Sequence, residues 1–263
     1  MRVAALQYAI ATGRPEANLA RVEQLVGNLM TGDCPPDVIA LPEMWSTGFA
    51  LRHRDTLASP CAAREVAFLR SLAVRYHVAF AGGSVLAEDR GRYYNRTLIM
   101  DADGRLIDTY DKVHLFHLLP EGAYLTPGRR RVLFHLQGVP CSCLICYDMR
   151  FGPMVQRLAL DGAHVVFVGA QWPLPRAEHW DLLTRARAVE NQIFMVASNC
   201  CGQSRWGGTF AGRSQIVAPD GTVLAKAGET EEGAVTADLN LSLIKTVRAE
   251  MPIFADRVPE LYV

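Results

Sequence analysis

Neither sign of charge is in excess: Lys and Arg together number 27, and so do Asp and Glu. A chain without net charge has no overall field to draw nucleic acid or an anionic membrane, and neither partner is expected. No apolar run approaches the length needed to span a bilayer. The opening "MRVAALQYAIATG" has an early charge and a short apolar stretch, but Gln7 and Tyr8 interrupt it and no small-residue cleavage site follows. It reads as a first strand, and the cytoplasm is the expected compartment. The seven cysteines (34, 61, 141, 143, 146, 200 and 201) are odd in number and irregular in spacing, so no disulfide framework is implied. No low-complexity stretch or linker divides the chain, which is read as one domain over 1–263.

What is present is an alternation of strand and helix signals. "RVAALQYA", "DVIALPE" and "VAFAGGSVL" are β-like, separated by "NLARVEQLVGNLM" and "CAAREVAFLRSLAVRYH", whose apolar residues recur at helical spacing. "NRTLIMDADGRLIDTYDK" carries a Gly-containing turn between two strand-like runs, the pattern of a hairpin. The order then returns. "VPCSCLIC", "HVVFVGAQW" and "IFMVASNCC" are strands, "FGPMVQRLALDG" and "RAEHWDLLTRARAVENQ" helices, and "RSQIVAPDGTVLAKA" a second hairpin whose "APDGTVL" echoes "DADGRLI". Two halves built alike are expected to face each other across one core.

The stretch "CSCLICYDMRF" places Cys141, Cys143 and Cys146 within six positions. Strand alternation puts Cys141 and Cys143 on one face, where the plain reading is small buried hydrophobes. Cys146 falls where the strand gives way to a helix, and sites in open α/β sheets form at the carboxyl ends of strands. A zinc clasp through Cys143-x-x-Cys146 lacks a second pair or an H-x₃₋₅-H motif, and a redox C-x-x-C belongs at the mouth of a helix rather than inside a strand. No metal and no cofactor are expected. A thiol attacking a carbonyl needs a base, an oxyanion partner and an acid for the leaving group. Glu43 ends the strand of "DVIALPEM" and Lys112 follows the first hairpin. Taken singly, each is more plainly a solvated surface charge; with Cys146 they form a constellation of reactive groups at element ends.

"LPEMWSTGF", "YDKVHLF", "LICYDMRF", "RARAVENQ" and "GRSQIVAPDG" together resemble the signatures of the nitrilase superfamily of carbon–nitrogen hydrolases, in order along the whole chain. The resemblance implies a four-layer αββα sandwich with internal pseudo-two-fold halves, associating as dimers or larger. It implies Glu43 as general base, Lys112 as stabiliser of the tetrahedral intermediate, Cys146 as nucleophile and, from "LLPEGAYLTPG", Glu121 as a second carboxylate. One departure is visible: the superfamily reads R-F-P where this chain has Arg150-Phe151-Gly152-Pro153, a displacement expected to adjust the entry into the next helix. "GAQWPLPRAEHW" and "RAEMPIFADRVPELY" look most like the ω-amidase branch, whose members deamidate 2-oxoglutaramate or 2-oxosuccinamate. Deaminated-glutathione amidase, a general aliphatic amidase and a true nitrilase are alternatives with the same chemistry; a thiol redox or metal-binding protein is the alternative outside catalysis.

Further candidates follow from position. The Tyr147 backbone N–H is expected beside the oxyanion. Arg150, four residues after the thiol, is the nearest candidate to grip a substrate carboxylate, against a helix-entry salt bridge with Asp148. Trp45, Phe49 and Trp172 adjoin the site blocks and are expected to line a small, partly apolar pocket, with core packing the alternative for each. Arg187 and Glu190, at i and i+3, are expected to pair on their helix. The histidines, His114, His117 and His179 included, are read as packing or supporting groups rather than as a Cys–His pair.

Overall fold

The expected alternation of strands and helices folds into two packed sheets in the computed structural model, which describes residues 1–203 and 208–262. The first half runs β1 (Arg2–Gln7), α1 (Pro15–Met30), β2 (Val38–Ala40), α2 (Arg54–Leu57), β3 (Ser59–Pro60), α3 (Ala63–Tyr76), β4 (Ala79–Ala81), β5 (Ser84–Asp89), β6 (Arg92–Met100) and β7 (Leu106–Asp111). After α4 (Glu121–Tyr124), the second half runs β8 (Phe134–Leu136), β9 (Val139–Ile145), α5 (Gly152–Leu160), β10 (Val165–Ala170), α6 (Ala177–Asn191), β11 (Phe194–Asn199), β12 (Gln215–Val217) and β13 (Val223–Lys226). β14 (Gly233–Asp238) and α7 (Ser242–Glu250) follow.

The two halves share one pairing scheme. β1, β2 and β4 are parallel neighbours, followed by antiparallel β6 and β7. β9, β10 and β11 repeat the parallel run, followed by antiparallel β12 and β13. β14 returns to pair antiparallel with β1, so the end of the second half seals the edge of the first.

Strand alternation sorts the side chains into layers. Val3, Ala5, Ala40, Cys143, Ile145, Phe167 and Val196 meet in an inner core between the sheets. Leu6, Ile39 and Phe80 face outward onto Val22 and Val26 of α1 and Leu69 and Leu72 of α3. Leu144, Val166 and Val168 face outward onto Val155 and Leu158 of α5 and Trp180 and Ala188 of α6. The order is therefore helix, sheet, sheet, helix. The periodicity that makes α1 and α3 amphipathic is the one that buries these residues, and Pro15 and Pro153 occupy first-turn positions where a missing N–H leaves no bond unmade. Gly152 opens α5 with Pro153 directly behind it, so the displaced proline still falls within the first turn.

One expected strand is two. "VAFAGGSVL" breaks at Gly82-Gly83 into β4 and β5, and β6 inserts between them. Gly82 takes φ +85°, and a Cβ on Gly83 would sit 2.3 Å from Leu41 Cβ. The glycines let the chain leave the sheet against the loop that carries Glu43. Opposite, a Cβ on Gly169 of β10 would lie 2.2 Å from the Gly82 carbonyl oxygen. The two sheets touch here backbone to backbone. Among the described residues no helix is long and apolar enough to cross a membrane.

Candidate active site

Three elements deliver charged side chains to one buried point. Glu43 follows β2, Lys112 follows β7, and Glu121 begins α4; each is about 1% exposed. Lys112 Nζ donates to Glu43 Oε1 at 2.8 Å and to Glu121 Oε1 at 2.9 Å. Glu43 Oε1 also accepts from Asn95 Nδ2 at 2.8 Å, and its Oε2 accepts from the Gln171 backbone N–H at 3.0 Å. Gln171 Nε2 returns a bond to the Glu43 carbonyl at 2.9 Å. The second carboxylate is held by its loop: Glu121 Oε2 accepts from the Phe116 backbone N–H at 3.0 Å. Burying three charges is tolerable only because each meets hydrogen-bond partners of opposite sign or polarity.

Cys146 completes the group. It ends β9 on a single turn of 3₁₀ helix, Cys146–Arg150, with φ +46°. That left-handed residue breaks the alternation that buries Cys143 and Ile145, and turns the thiol into a cavity shared with Glu43, Lys112 and Glu121. Asp148 anchors the turn. Its Oδ2 accepts from the Ile145 backbone N–H at 3.1 Å and Tyr110 Oη at 2.7 Å; its Oδ1 accepts from the His114 backbone N–H at 2.9 Å. One carboxylate thus ties the turn of Cys146 to the segment of Lys112. Arg187 holds the same turn from outside, donating to the carbonyls of Met149 and Arg150 at 2.9 and 3.1 Å, while pairing with Glu190 at 2.8 Å. A Cβ at Gly152 would come within 3.2 Å of Arg187 Nη1, so the bare glycine makes room for this grip.

The electrostatics follow from confinement. Burial works against the Lys112 ammonium, but the charges of Glu43 and Glu121 outweigh it and hold its pKa above the ordinary lysine value. Burial, against the pull of Lys112 and aided by Glu43, pushes Glu121 up to about 7. Burial first, then the Glu43 charge, raises the Cys146 thiol well above its usual range, with Lys112 pulling the other way. Burial and the Glu43 charge both favour the protonated thiol over the thiolate. Cys141 and Cys143 are raised by burial in the inner core, Cys141 to about 12, and have no access to the cavity. A clasp through Cys143 and Cys146 is not formed, since the first lies between the sheets and the second faces the cavity.

The cavity has a volume of about 330 Å³, at the lower end of the range of small-molecule sites. Phe49, Tyr147, Arg150 and Trp172 line it. Trp45 does not. Met44 takes φ +48°, and this reversal turns Trp45 away from Glu43 into the layer under α3, fully buried with its ring 5.8 Å from Phe68. Asp148 is engaged elsewhere and does not pair with Arg150, whose guanidinium lies 4.6 Å from the centre of the Trp172 ring. Among the described residues no histidine lines the cavity. His114 instead bonds Asp148 through Nδ1 at 2.8 Å and stacks on Phe151.

Four contributors escaped the sequence reading. Asn95 is one amide in β6, between Tyr94 and Arg96. Gln171 precedes Trp172 in a quoted block, and Arg176 lies four residues beyond it. Phe116 forms part of the cavity wall from the loop after Lys112. Only Gln171 had a sequence signal: an amide at the end of an apolar run needs a partner.

The chain has relatives. Residues 2–249 match the family model of carbon–nitrogen hydrolases. The chain is 39% identical over 260 residues to 2-oxoglutaramate amidase of Bacillus subtilis (strain 168), covering 99% of this chain and 98% of that protein. It is 32% identical over 257 residues to omega-amidase YafV of Escherichia coli (strain K12), covering 97% and 96%. Among solved structures it is similar to XC1258 from Xanthomonas campestris, a CN-hydrolase superfamily protein with an arsenic adduct in the active site: TM-score 0.90, 28% identity, 98% of this chain and 97% of that one.

Proposed function

The chain belongs to the carbon–nitrogen hydrolase family and is a hydrolase of carbon–nitrogen bonds in linear amides, and from that premise we propose that it acts through Cys146 on a small amide with a carboxylate at its far end. The observation that carries this reading is the opening of Glu43, Lys112, Glu121 and Cys146 onto one cavity that also holds Arg150.

The sulfur of Cys146 attacks the amide carbon, and the thiol proton passes to Glu43. Charge develops on the carbonyl oxygen, where Lys112 and the Tyr147 backbone N–H hold it. Removing one such donor raises the barrier by roughly 3–4 kcal/mol. The C–N bond breaks as the nitrogen takes a proton from Glu43, and ammonia leaves a thioester. Water, activated by Glu43 with Glu121 adjacent, cleaves the thioester to the free acid and restores the thiol. Because Lys112 stays protonated between two carboxylates, it supplies charge rather than protons.

The relatives named for 2-oxoglutaramate and for ω-amidase activity support a keto-amide of this kind as substrate. Ammonia release from a panel of short amides, with 2-oxoglutaramate and glutamine included, tests it. Turnover of the keto-amide without glutamine is the expected outcome, with Cys146→Ala inactive. Retained amide hydrolysis in Cys146→Ala would defeat the mechanism, and equal use of amides with and without a carboxylate would defeat the substrate class.

A further inference from the structure

We propose that Arg176 joins Arg150 as a two-guanidinium clamp for the far carboxylate of the substrate, with Trp172 as the platform that sets both; this rests on the amidase reading of the cavity. Both arginines line the cavity that holds Cys146.

Among the described residues, Arg248 and Arg257 are half-buried without a carboxylate partner, but neither lines the cavity; three other buried or half-buried arginines are paired. Arg213 meets Glu178, Asp181 and Glu229, Arg96 meets Asp89 and Asp111, and Arg187 meets Glu190. Among the described residues, no carboxylate lies within salt-bridge distance of Arg150 or Arg176. Besides the Trp172 ring, Arg150 Nη2 meets His179 Nδ1 at 3.3 Å. Burial and the charge of Arg176 both disfavour the Arg150 cation. Two like charges facing one cavity without a counter-ion are relieved by an anion between them, and a carboxylate offers two oxygens to two forks.

Trp172 fixes the pair. Its indole Nε1 donates to the Arg176 carbonyl at 2.7 Å, while the face of the same ring supports the Arg150 guanidinium. Trp172 is about 2% exposed, and its backbone N–H is held by Asn199 Oδ1 at 2.7 Å. The preceding residue, Gln171, donates its backbone N–H to Glu43. Consecutive residues therefore orient the base and the clamp. Arg150 stands four residues beyond Cys146 at the far end of the same short helix, and both side chains line the one cavity.

The test compares succinamate with butyramide, its neutral counterpart of equal length, in wild type and Arg176→Gln, by ammonia release. Binding of both to the Cys146→Ala protein, with and without Arg176→Gln, is measured by calorimetry. The ratio of succinamate to butyramide kcat/KM is expected to fall by roughly 10- to 100-fold in Arg176→Gln, mainly through KM, with a matching loss of succinamate affinity. Arg176→Lys is expected to recover part of the ratio. An unchanged ratio, or loss of both amides in proportion, would overturn the clamp. Absence of a succinamate preference in wild type would instead overturn the substrate class itself, so the two failures are read in different proteins.

Discussion

Lys112 and Glu43, 69 positions apart in the chain, meet with Nζ 2.8 Å from Oε1, and the same ammonium holds Glu121 at 2.9 Å. All three groups are about 1% exposed, so removing the cation leaves two nearly buried carboxylates facing each other without compensation. Lys112→Met is expected to destabilise the fold by about 3–5 kcal/mol and to lower kcat by at least about 100-fold. Chemical denaturation and ammonia release measure the two effects. A stable, active variant would show that the ammonium carries neither role.

Glu121 gives a pH dependence with a definite sign. Its carboxyl is raised to about 7 in the fold by burial against the pull of Lys112, from an ordinary value of 4.5. The folded state therefore holds this proton over a range where the unfolded chain has lost it. Stability from this group is complete below about 4.5 and declines as pH rises toward about 7. Glu121→Gln removes that decline. Urea midpoints for the two proteins from pH 5 to 7.5 are expected to show a shallower slope in the variant; parallel curves would contradict the assignment.

Asp148 tests how the Cys146 thiol is placed. Its carboxylate collects the Ile145 N–H, the Tyr110 hydroxyl and the His114 N–H. In Asp148→Ala these donors, two of them on fully buried residues, lose their acceptor. The expected loss is about 3 kcal/mol or more of stability, with a fall in kcat because the Cys146 turn is no longer tied to the Lys112 segment. Asp148→Asn keeps one acceptor oxygen and should lie between. Thermal melting and single-turnover acylation report the two consequences.

Gly169 tests the contact between the sheets. A Cβ there would lie 2.2 Å from the Gly82 carbonyl oxygen and 2.8 Å from that of Leu41. Gly169→Ala has to push β10 away from the Glu43 loop, at about 1–3 kcal/mol. Since the Gln171 N–H that holds Glu43 follows on the same strand end, activity is expected to fall more than melting temperature alone would account for.

That Glu43 and Cys146 face one cavity was legible in part because each stands near the end of an apolar run, whereas Lys112 follows the polar strand β7 and was singled out by the resemblance. The layers were legible from strand periodicity: Leu6, Ile39 and Val166 alternate with inner residues along their strands. Trp45 was misplaced because alternation assumes an extended backbone and Met44 at φ +48° is not extended. The split at Gly82-Gly83 was missed because a glycine pair inside an apolar run has the composition of a continuous strand. Arg176 was invisible as a site residue because its setting is made by a tryptophan below it and by the absence of a nearby acid. Neither is written in local sequence.

The φ of +46° at Cys146 has a further consequence. A side chain with a Cβ rests uneasily in that region, at a strain of about 1–3 kcal/mol, whereas glycine adopts it freely. The molecule thus holds its sulfur in place against the local preference of its own backbone. Selection for durability alone would discard the thiol at this position, so on the proposed role of Cys146 heat tolerance and turnover pull this one residue in opposite directions.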